Sequence, residues 1–203
     1  RQMCIRDSVT HLGIYDIPMM SNIPNLVYLA PTTYEEYIAM LDWSTEQREH
    51  PVAIRVPGAV IHGEKPTKDY GILNKYETVQ KGSGAAIIAL GTFFGMGKQA
   101  AELIEKKTGV KPTLINPVYI TGIDEELLES LKKDHKAVIT LEDGILDGGF
   151  GEKIARFYGD SDMRTVNFGL KKEFLDRYDA NEVLRQNGIT PEQIADRAAE
   201  LIK

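Results

Sequence analysis

An α/β fold is predicted for this chain, built as two successive units with parallel strands. Three observations predict it. Short apolar runs alternate with segments whose apolar residues recur at helical spacing. Capping residues, glycines and prolines separate the two kinds of segment. A polar stretch after residue 62 divides the alternation into a short first part and a longer second one.

The first unit opens on the loop Thr10-His11-Leu12-Gly13-Ile14-Tyr15-Asp16-Ile17-Pro18, which brings a histidine, a glycine and a carboxylate together. Asn25-Leu26-Val27-Tyr28-Leu29-Ala30 fits a buried strand, and Pro31 ends it. Thr32 and Glu35 have capping-box spacing. Tyr34, Ile38 and Leu41 fall on one face of the helix that follows. Val52-Ala53-Ile54-Arg55 is a second strand, closed by Pro57-Gly58. Strand, helix and strand within about thirty residues form a βαβ unit, whose strands run parallel. His62 to Asp69 is polar and aperiodic, which marks a linker.

The second unit begins after Gly84. Ala85 to Leu90 is a buried strand ending at Gly91, and Met96, Ala100, Leu103 and Ile104 form a helical stripe. Pro112 to Asn116 is the next strand. Asp124 caps a helix carrying Leu127, Leu128 and Leu131. Ala137 to Leu141 is a strand, Gly148-Gly149-Phe150-Gly151 opens a helix, and Thr165 to Phe168 is a further strand. The last helix has Thr190 at its cap, Pro191 in its first turn and Gln193 three residues on. Ile194, Ala198, Leu201 and Ile202 give its buried face. The expected division is therefore 1–8, a non-native or read-through segment; 9–62, the first unit; 63–80, a linker; and 81–203, the second domain.

Composition narrows the function classes. Hydrophobic residues make up 42% and charged residues 27% of the 203, as in an ordinary globular protein. A net charge of −6 without a basic stripe argues against nucleic acid or an acidic membrane as partner. Cys4 is the single cysteine, which excludes an internal disulfide framework and suits a reducing compartment. Apolar runs stay far below the roughly 18 residues that span a bilayer, and no signal-peptide core is evident. The expected location is the cytoplasm.

Among candidate chemical groups, His11 stands first. An imidazole in a loop can hold or pass a proton, or donate to a developing oxyanion. Thr10 is placed to orient it, and Gly13 allows a ligand close to the backbone. His50, His62 and His135 sit among charged residues and read as surface groups. No two histidines have metal-ligand spacing. Gly91 to Gln99 approximates a phosphate loop, but its spacing is one residue too long and Gln99 replaces the Ser or Thr that such a loop requires. Gly159-Asp160-Ser161 with Asn187 lacks the second glycine of a magnesium–diphosphate motif. Glu142-Asp143-Gly144 lies at a strand end, where α/β sheets place ligands. The helix start at Gly148 to Gly151 has amides that suit an anion, or is a tight glycine turn. Arg55, also at a strand end, can meet a phosphate or anchor a carboxylate across a domain interface.

Several motifs resemble one family in the same order. Asp7 to Asp16 resembles the Asp-Gly-x-Thr-His-x-Gly-x-x-Asp loop of the 1-deoxy-D-xylulose-5-phosphate synthase family, within the transketolase superfamily. Ile23-Pro24-Asn25-Leu26, Ala30-Pro31-Thr32 and Pro51-Val52-Ala53-Ile54-Arg55-Val56-Pro57 resemble the stretches that follow in it. Glu142-Asp143-Gly144, Gly148-Gly149-Phe150-Gly151 and Asn167-Phe168-Gly169-Leu170 resemble motifs of its last domain. The resemblance implies the end of a parallel-sheet pyrimidine-binding domain followed by an α/β transketolase C-terminal domain.

It also implies a thiamine-diphosphate- and Mg2+-dependent enzyme that joins pyruvate to glyceraldehyde 3-phosphate with loss of CO2. This is an entry step to isoprenoids, thiamine and pyridoxal. His11 would be the catalytic residue, with Asp7, Thr10 and Arg55 in substrate binding, in a homodimer. Two departures stand out. Ser8 replaces a family glycine, and Gly58 stands where the family has a phosphate-binding arginine. The domain that holds cofactor and metal precedes the matched region, so the chain alone is expected to be inactive. The C-terminal half of a transketolase or of a 2-oxo-acid dehydrogenase E1 β chain remains open, as does a non-catalytic dimerisation module. The Leu12-Gly13-x-x-Asp16 continuation favours the synthase.

Overall fold

The structure, a computed structural model, describes residues 13–56, 58–175 and 179–202. The first unit contains α1 (Asp16–Met20), β1 (Val27–Leu29), α2 (Tyr34–Glu46) and β2 (Val52–Ile54). β1 and β2 pair in parallel, Val27 opposite Val52 and Leu29 opposite Ile54, as the βαβ reading requires. The cap of α2 lies one residue later than expected. Thr33 Oγ1 accepts from the Glu36 amide at 3.2 Å. Glu36 turns back to accept from the Thr32 amide at 2.7 Å and the Thr32 hydroxyl at 2.9 Å.

The buried face of α2 shifts with its cap. Glu36 and Met40 point inward, while Tyr34 and Leu41 are exposed. The reason is polar: Asn116 Nδ2 donates to Glu36 Oε1 at 3.1 Å, and a buried carboxylate must keep such partners. Seating Glu36 there turns the expected apolar stripe outward.

The second unit contains β3 (Glu77–Gln80), β4 (Gly84–Ala89), α3 (Phe94–Thr108), β5 (Thr113–Asn116), α4 (Glu125–Leu131), β6 (His135–Ile145), α5 (Phe150–Phe157), β7 (Arg164–Leu170), α6 (Ala180–Gln186) and α7 (Pro191–Ile202). The sheet order is β3-β5-β4-β6-β7. All pairings are parallel except β3 with β5. β3 falls inside the stretch read as a linker. It forms an edge strand with one face exposed, so its apolar content is too low to stand out.

Side chains alternate across β4, as strand geometry dictates. Ala85, Ile87 and Ala89 pack with Ala100 and Ile104 of α3 and with Ile194 and Ala198 of α7. Ala86, Ile88 and the following Leu90 pack with Leu128 of α4 and with Phe150 and Ile154 of α5. The sheet is thus covered on both faces. The cap of α7 is as expected, with Thr190 Oγ1 accepting from the Gln193 amide at 3.3 Å. His135, expected at the surface, is buried instead. Its ring bonds Thr113 Oγ1 at 2.8 Å and Leu131 O at 3.1 Å. It opens β6, where alternation sends His135 inward and its charged neighbour Lys136 outward.

The two units share backbone hydrogen bonds. The Ala30 amide donates to Val118 O at 2.8 Å and the Ile120 amide to Tyr28 O at 2.7 Å. The 118–120 segment therefore runs beside β1 and joins the small sheet to the large one.

The near-phosphate loop is a packing feature. A Cβ on Gly97 would lie 2.7 Å from Ala89 Cβ, so glycine there brings α3 down onto β4. Gly95, two residues earlier, has open space around it. Gly97→Ala should destabilise the chain by about 1–2 kcal/mol, strain outweighing the gain in helix propensity. Gly95→Ala should be neutral or stabilising by up to about 1 kcal/mol. Urea unfolding of both variants reads the contrast, and equal midpoints would refute the close contact.

Candidate functional site

β4 leads through α3 to β5 on one side, while β6 leads through α5 to β7 on the other. α3 and α5 lie on opposite faces of the sheet. The chain therefore diverges at the C-terminal ends of β4 and β6. In an open α/β sheet such a crevice is where ligands sit. Here it receives a side chain from the first unit, Arg55, which is only 5% exposed.

The guanidinium is surrounded by acceptors. Nε donates to Asp16 Oδ2 at 2.7 Å and Nη2 to Asp16 Oδ1 at 3.2 Å. Nη1 donates to Asp143 in β6, and Nη2 also donates to the Gly13 carbonyl at 2.5 Å. The second oxygen of Asp143 accepts from the Thr92 hydroxyl, just after β4, at 2.8 Å. Tyr28 of β1 donates its phenol to Asp16. Burial alone would lower the basicity of Arg55, but Asp143 and Asp16 hold it above its ordinary value. Burial, then the hydrogen bond to Asp16, raise the Tyr28 phenol.

Beside this node β6 departs from regular pairing. Leu141 stands opposite Phe168 and Ile145 opposite Leu170, so β6 advances further than β7 between the two pairs. The bulge contains Glu142, Asp143 and Gly144. Glu142 is fully buried, and its oxygens accept from the Phe150 and Gly151 amides, each at 2.8 Å. Burial pushes its carboxyl up to about 7, against the pull of those two amides. Beyond the bulge, the Ile145 amide donates to Ile14 O at 3.0 Å. Tyr15 OH donates to Glu173 O at 2.6 Å.

The sequence-predicted site residues divide accordingly. Asp7, Thr10 and His11 lie outside the described residues. Gly13, at the end of their loop, is held by Arg55, and the next residue, Ile14, by Ile145. Of the two roles open to Arg55, the geometry builds the carboxylate anchor between the units, and the guanidinium is committed to it. The amides that open α5, read as an anion seat, are filled by Glu142 from the same chain. Asp16 was visible as the carboxylate of the loop. Tyr28 and Thr92 carried no signal, because their partners lie 12 and 51 residues away. Among the described residues no group of three His, Cys, Asp or Glu could hold a metal ion. With the α5 amides also taken, these residues do not fit a metal–diphosphate pair. No described helix is long and apolar enough to cross a membrane.

Comparison with known proteins places this geometry. Residues 74–194 match the family described as transketolase, C-terminal domain. The chain is 32% identical over 199 residues to the 1-deoxy-D-xylulose-5-phosphate synthase of Clostridium tetani, covering 97% of this chain and 32% of that protein. It is 33% identical over 202 residues to the synthase of Clostridium perfringens strain SM101, with the same two coverages. The chain thus spans about a third of the length of these relatives. Among solved structures, a split-gene transketolase described as an inactive β4 tetramer superposes with a TM-score of 0.81 at 22% identity. That match covers 96% of this chain and 64% of the other. A transketolase variant from Pichia stipitis superposes at 0.71 with 19% identity, covering 97% of this chain and 28% of that one. These two likenesses establish the fold.

Two predictions test the node. Arg55→Met removes the guanidinium and leaves the buried Asp143 and the partly buried Asp16 carboxylates without it. It should cost about 3–5 kcal/mol by chemical denaturation, and a loss below about 1 kcal/mol would show the node to be dispensable. Glu142 supplies a pH slope. Its folded value is raised, from 4.5 to about 7. Its contribution to stability is therefore full below pH 4.5 and lost as pH rises through 7, by about 3 kcal/mol. Thermal unfolding of the wild type from pH 4 to 8 should carry this downward component, and Glu142→Gln should remove it.

Proposed function

Since the chain belongs to the transketolase family by its C-terminal domain, we propose that it supplies about a third of a 1-deoxy-D-xylulose-5-phosphate synthase, the share it covers in its relatives. In this reading the parent enzyme joins pyruvate to glyceraldehyde 3-phosphate with release of CO2 and works as a homodimer. Thiamine diphosphate and Mg2+, held by residues beyond those described, would supply the centre that takes up the electrons left by decarboxylation.

The observation that carries the reading is the anchoring of Gly13. The loop Thr10-His11-Leu12-Gly13 resembles the substrate loop of the synthases, and its end is tied to a buried ion-pair node. Catalysis by positioning demands a substrate loop with fixed ends, and the anchored Gly13 is such an end. His11 donates hydrogen bonds as negative charge develops on the reacting oxygens. Thr10 contacts the acceptor. Arg55 orders the loop, and with glycine at position 58 the acceptor phosphate is met by groups elsewhere in the enzyme. Exposed apolar side chains on and near α2, including Tyr34, Leu41, Val60 and Ile61, suit contact with the rest of such an assembly.

The test is kinetic. The full-length synthase carrying this sequence should form 1-deoxy-D-xylulose 5-phosphate, and His11→Ala should lower its kcat about 10²–10³-fold. The 203-residue chain alone, given both cofactors and both substrates, should release no CO2 above background. A His11→Ala enzyme at full rate, or turnover by the chain alone, would overturn the reading.

A further inference from the structure

We infer that Glu142 is a positioning residue for the end of the substrate loop: by seating its carboxylate on the first amides of α5 it fixes the β6 bulge, from which Asp143 reaches Gly13 through Arg55 and the following Ile145 reaches Ile14. This rests on the proposed function for its catalytic consequence and on geometry alone for the coupling itself.

The chain of contacts is continuous. The Phe150 and Gly151 amides bond one oxygen each of Glu142. Two amide bonds, one to each oxygen, leave the carboxylate a single orientation. The room for that orientation is made by glycines. A Cβ on Gly149 would fall 2.6 Å from Glu142 Oε2 and 2.6 Å from Ile145 O. A Cβ on Gly169, across in β7, would come within 3.2 Å of Glu142 Cγ and 3.0 Å of Gly144 O. A Cβ on Gly144 would meet Ile17 Cδ1 of α1 at 3.0 Å. These close approaches pack the bulge against the start of α5 and β7 on one side and against α1 on the other.

From the fixed bulge two contacts reach the loop. Asp143, the next residue, aims at Arg55, which holds the Gly13 carbonyl. The Ile145 amide holds the Ile14 carbonyl directly. The hydrogen bonds of Glu142 among the described residues go to α5 and not to Gly13 or Ile14, so it acts through these neighbours. A hydrophobic residue of similar size would fill the same space but leave the α5 amides without their acceptor.

Protonation state enters through the same geometry. The ionised carboxylate accepts both amides, whereas the acid offers one oxygen as a donor and loses one of them. The charges that bear on Glu142 are Asp143 in the same strand, which opposes ionisation, and Arg55 from the first unit, which favours it. Lys153 of α5 also feels it, its amine held down to about 8 chiefly by burial.

The experiment follows backbone amides of the 203-residue chain by NMR during a pH titration. The Phe150, Gly151 and Ile145 amides should move together with a midpoint near 7, and the step should vanish from all three in Glu142→Gln. Lys153→Gln separates any step at its own higher value. If Phe150 and Gly151 titrate while Ile145 stays still, Glu142 merely caps α5 and the inference is overturned. The wild-type titration decides this even if the variant does not fold. In the full synthase, Glu142→Gln should lower kcat about tenfold, with KM for pyruvate changed less than about twofold, and the wild-type kcat should fall below pH 7 in a step that the variant lacks. Unchanged kcat would overturn the inference. Common titration of the three amides in a protein without synthase activity would support the coupling and refute the proposed function instead.

Discussion

The placement of the first unit on the second depends on where one guanidinium is buried. Arg55 leaves the end of β2 and enters the large sheet between the ends of β4 and β6, with Asp16 on one side and Asp143 on the other. A buried cation is tolerated only with its counter-charges and hydrogen-bond acceptors in place. The acceptors come from positions 39 and 88 residues away in sequence. Satisfying them therefore fixes α1, β2 and β6 in one mutual arrangement. Apolar contacts between the units, such as Tyr28 and Ala30 against Ile88 and Leu90, would tolerate small displacements. The directional bonds of Arg55 do not.

The node also explains where a ligand is not. The crevice at the divergence of β4 and β6 is the expected ligand seat of an open α/β sheet. Arg55 fills it, with Thr92 and Asp143 completing the hydrogen bonds. The helix start beside it is filled in the same way by Glu142. The second unit uses this crevice to bind the first unit, through Asp143 and Arg55. A domain built on a familiar plan has turned its binding crevice into a joint.

How much of this could be read from the sequence follows from the range of each interaction. The strands around Ala85 to Leu90 and Ala137 to Leu141 and the helix capped by Thr190 were legible because their signals are local: apolar runs, a capping oxygen, a proline in the first turn. The cap of α2 was misread by one residue because Thr32 and Thr33 offer equal local chemistry. The choice was made by Asn116, far away, which draws Glu36 inward. His135 looked exposed because its neighbours are charged, yet strand alternation turns it to Thr113. The edge strand at Glu77–Gln80 was missed because half of it faces solvent. At the node, the sequence offered Arg55 a carboxylate or a phosphate, and only three-dimensional proximity to Asp16 and Asp143 decides.

Two kinds of force therefore carry two kinds of information. The apolar alternation of β4 and β6 builds the large sheet with its helices, and it is insensitive to which side chain meets which, provided volume is kept. The polar contacts of Arg55, Glu142 and Glu36 add little net stability, since burying their charges opposes much of what their bonds contribute. They restrict the arrangement instead. Each joins an element of the first unit, or the bulge that touches it, to a defined atom of the second. Damage to the apolar layers should therefore loosen the whole fold, while damage at the polar contacts should leave both sheets standing and misplace the loop that ends at Gly13.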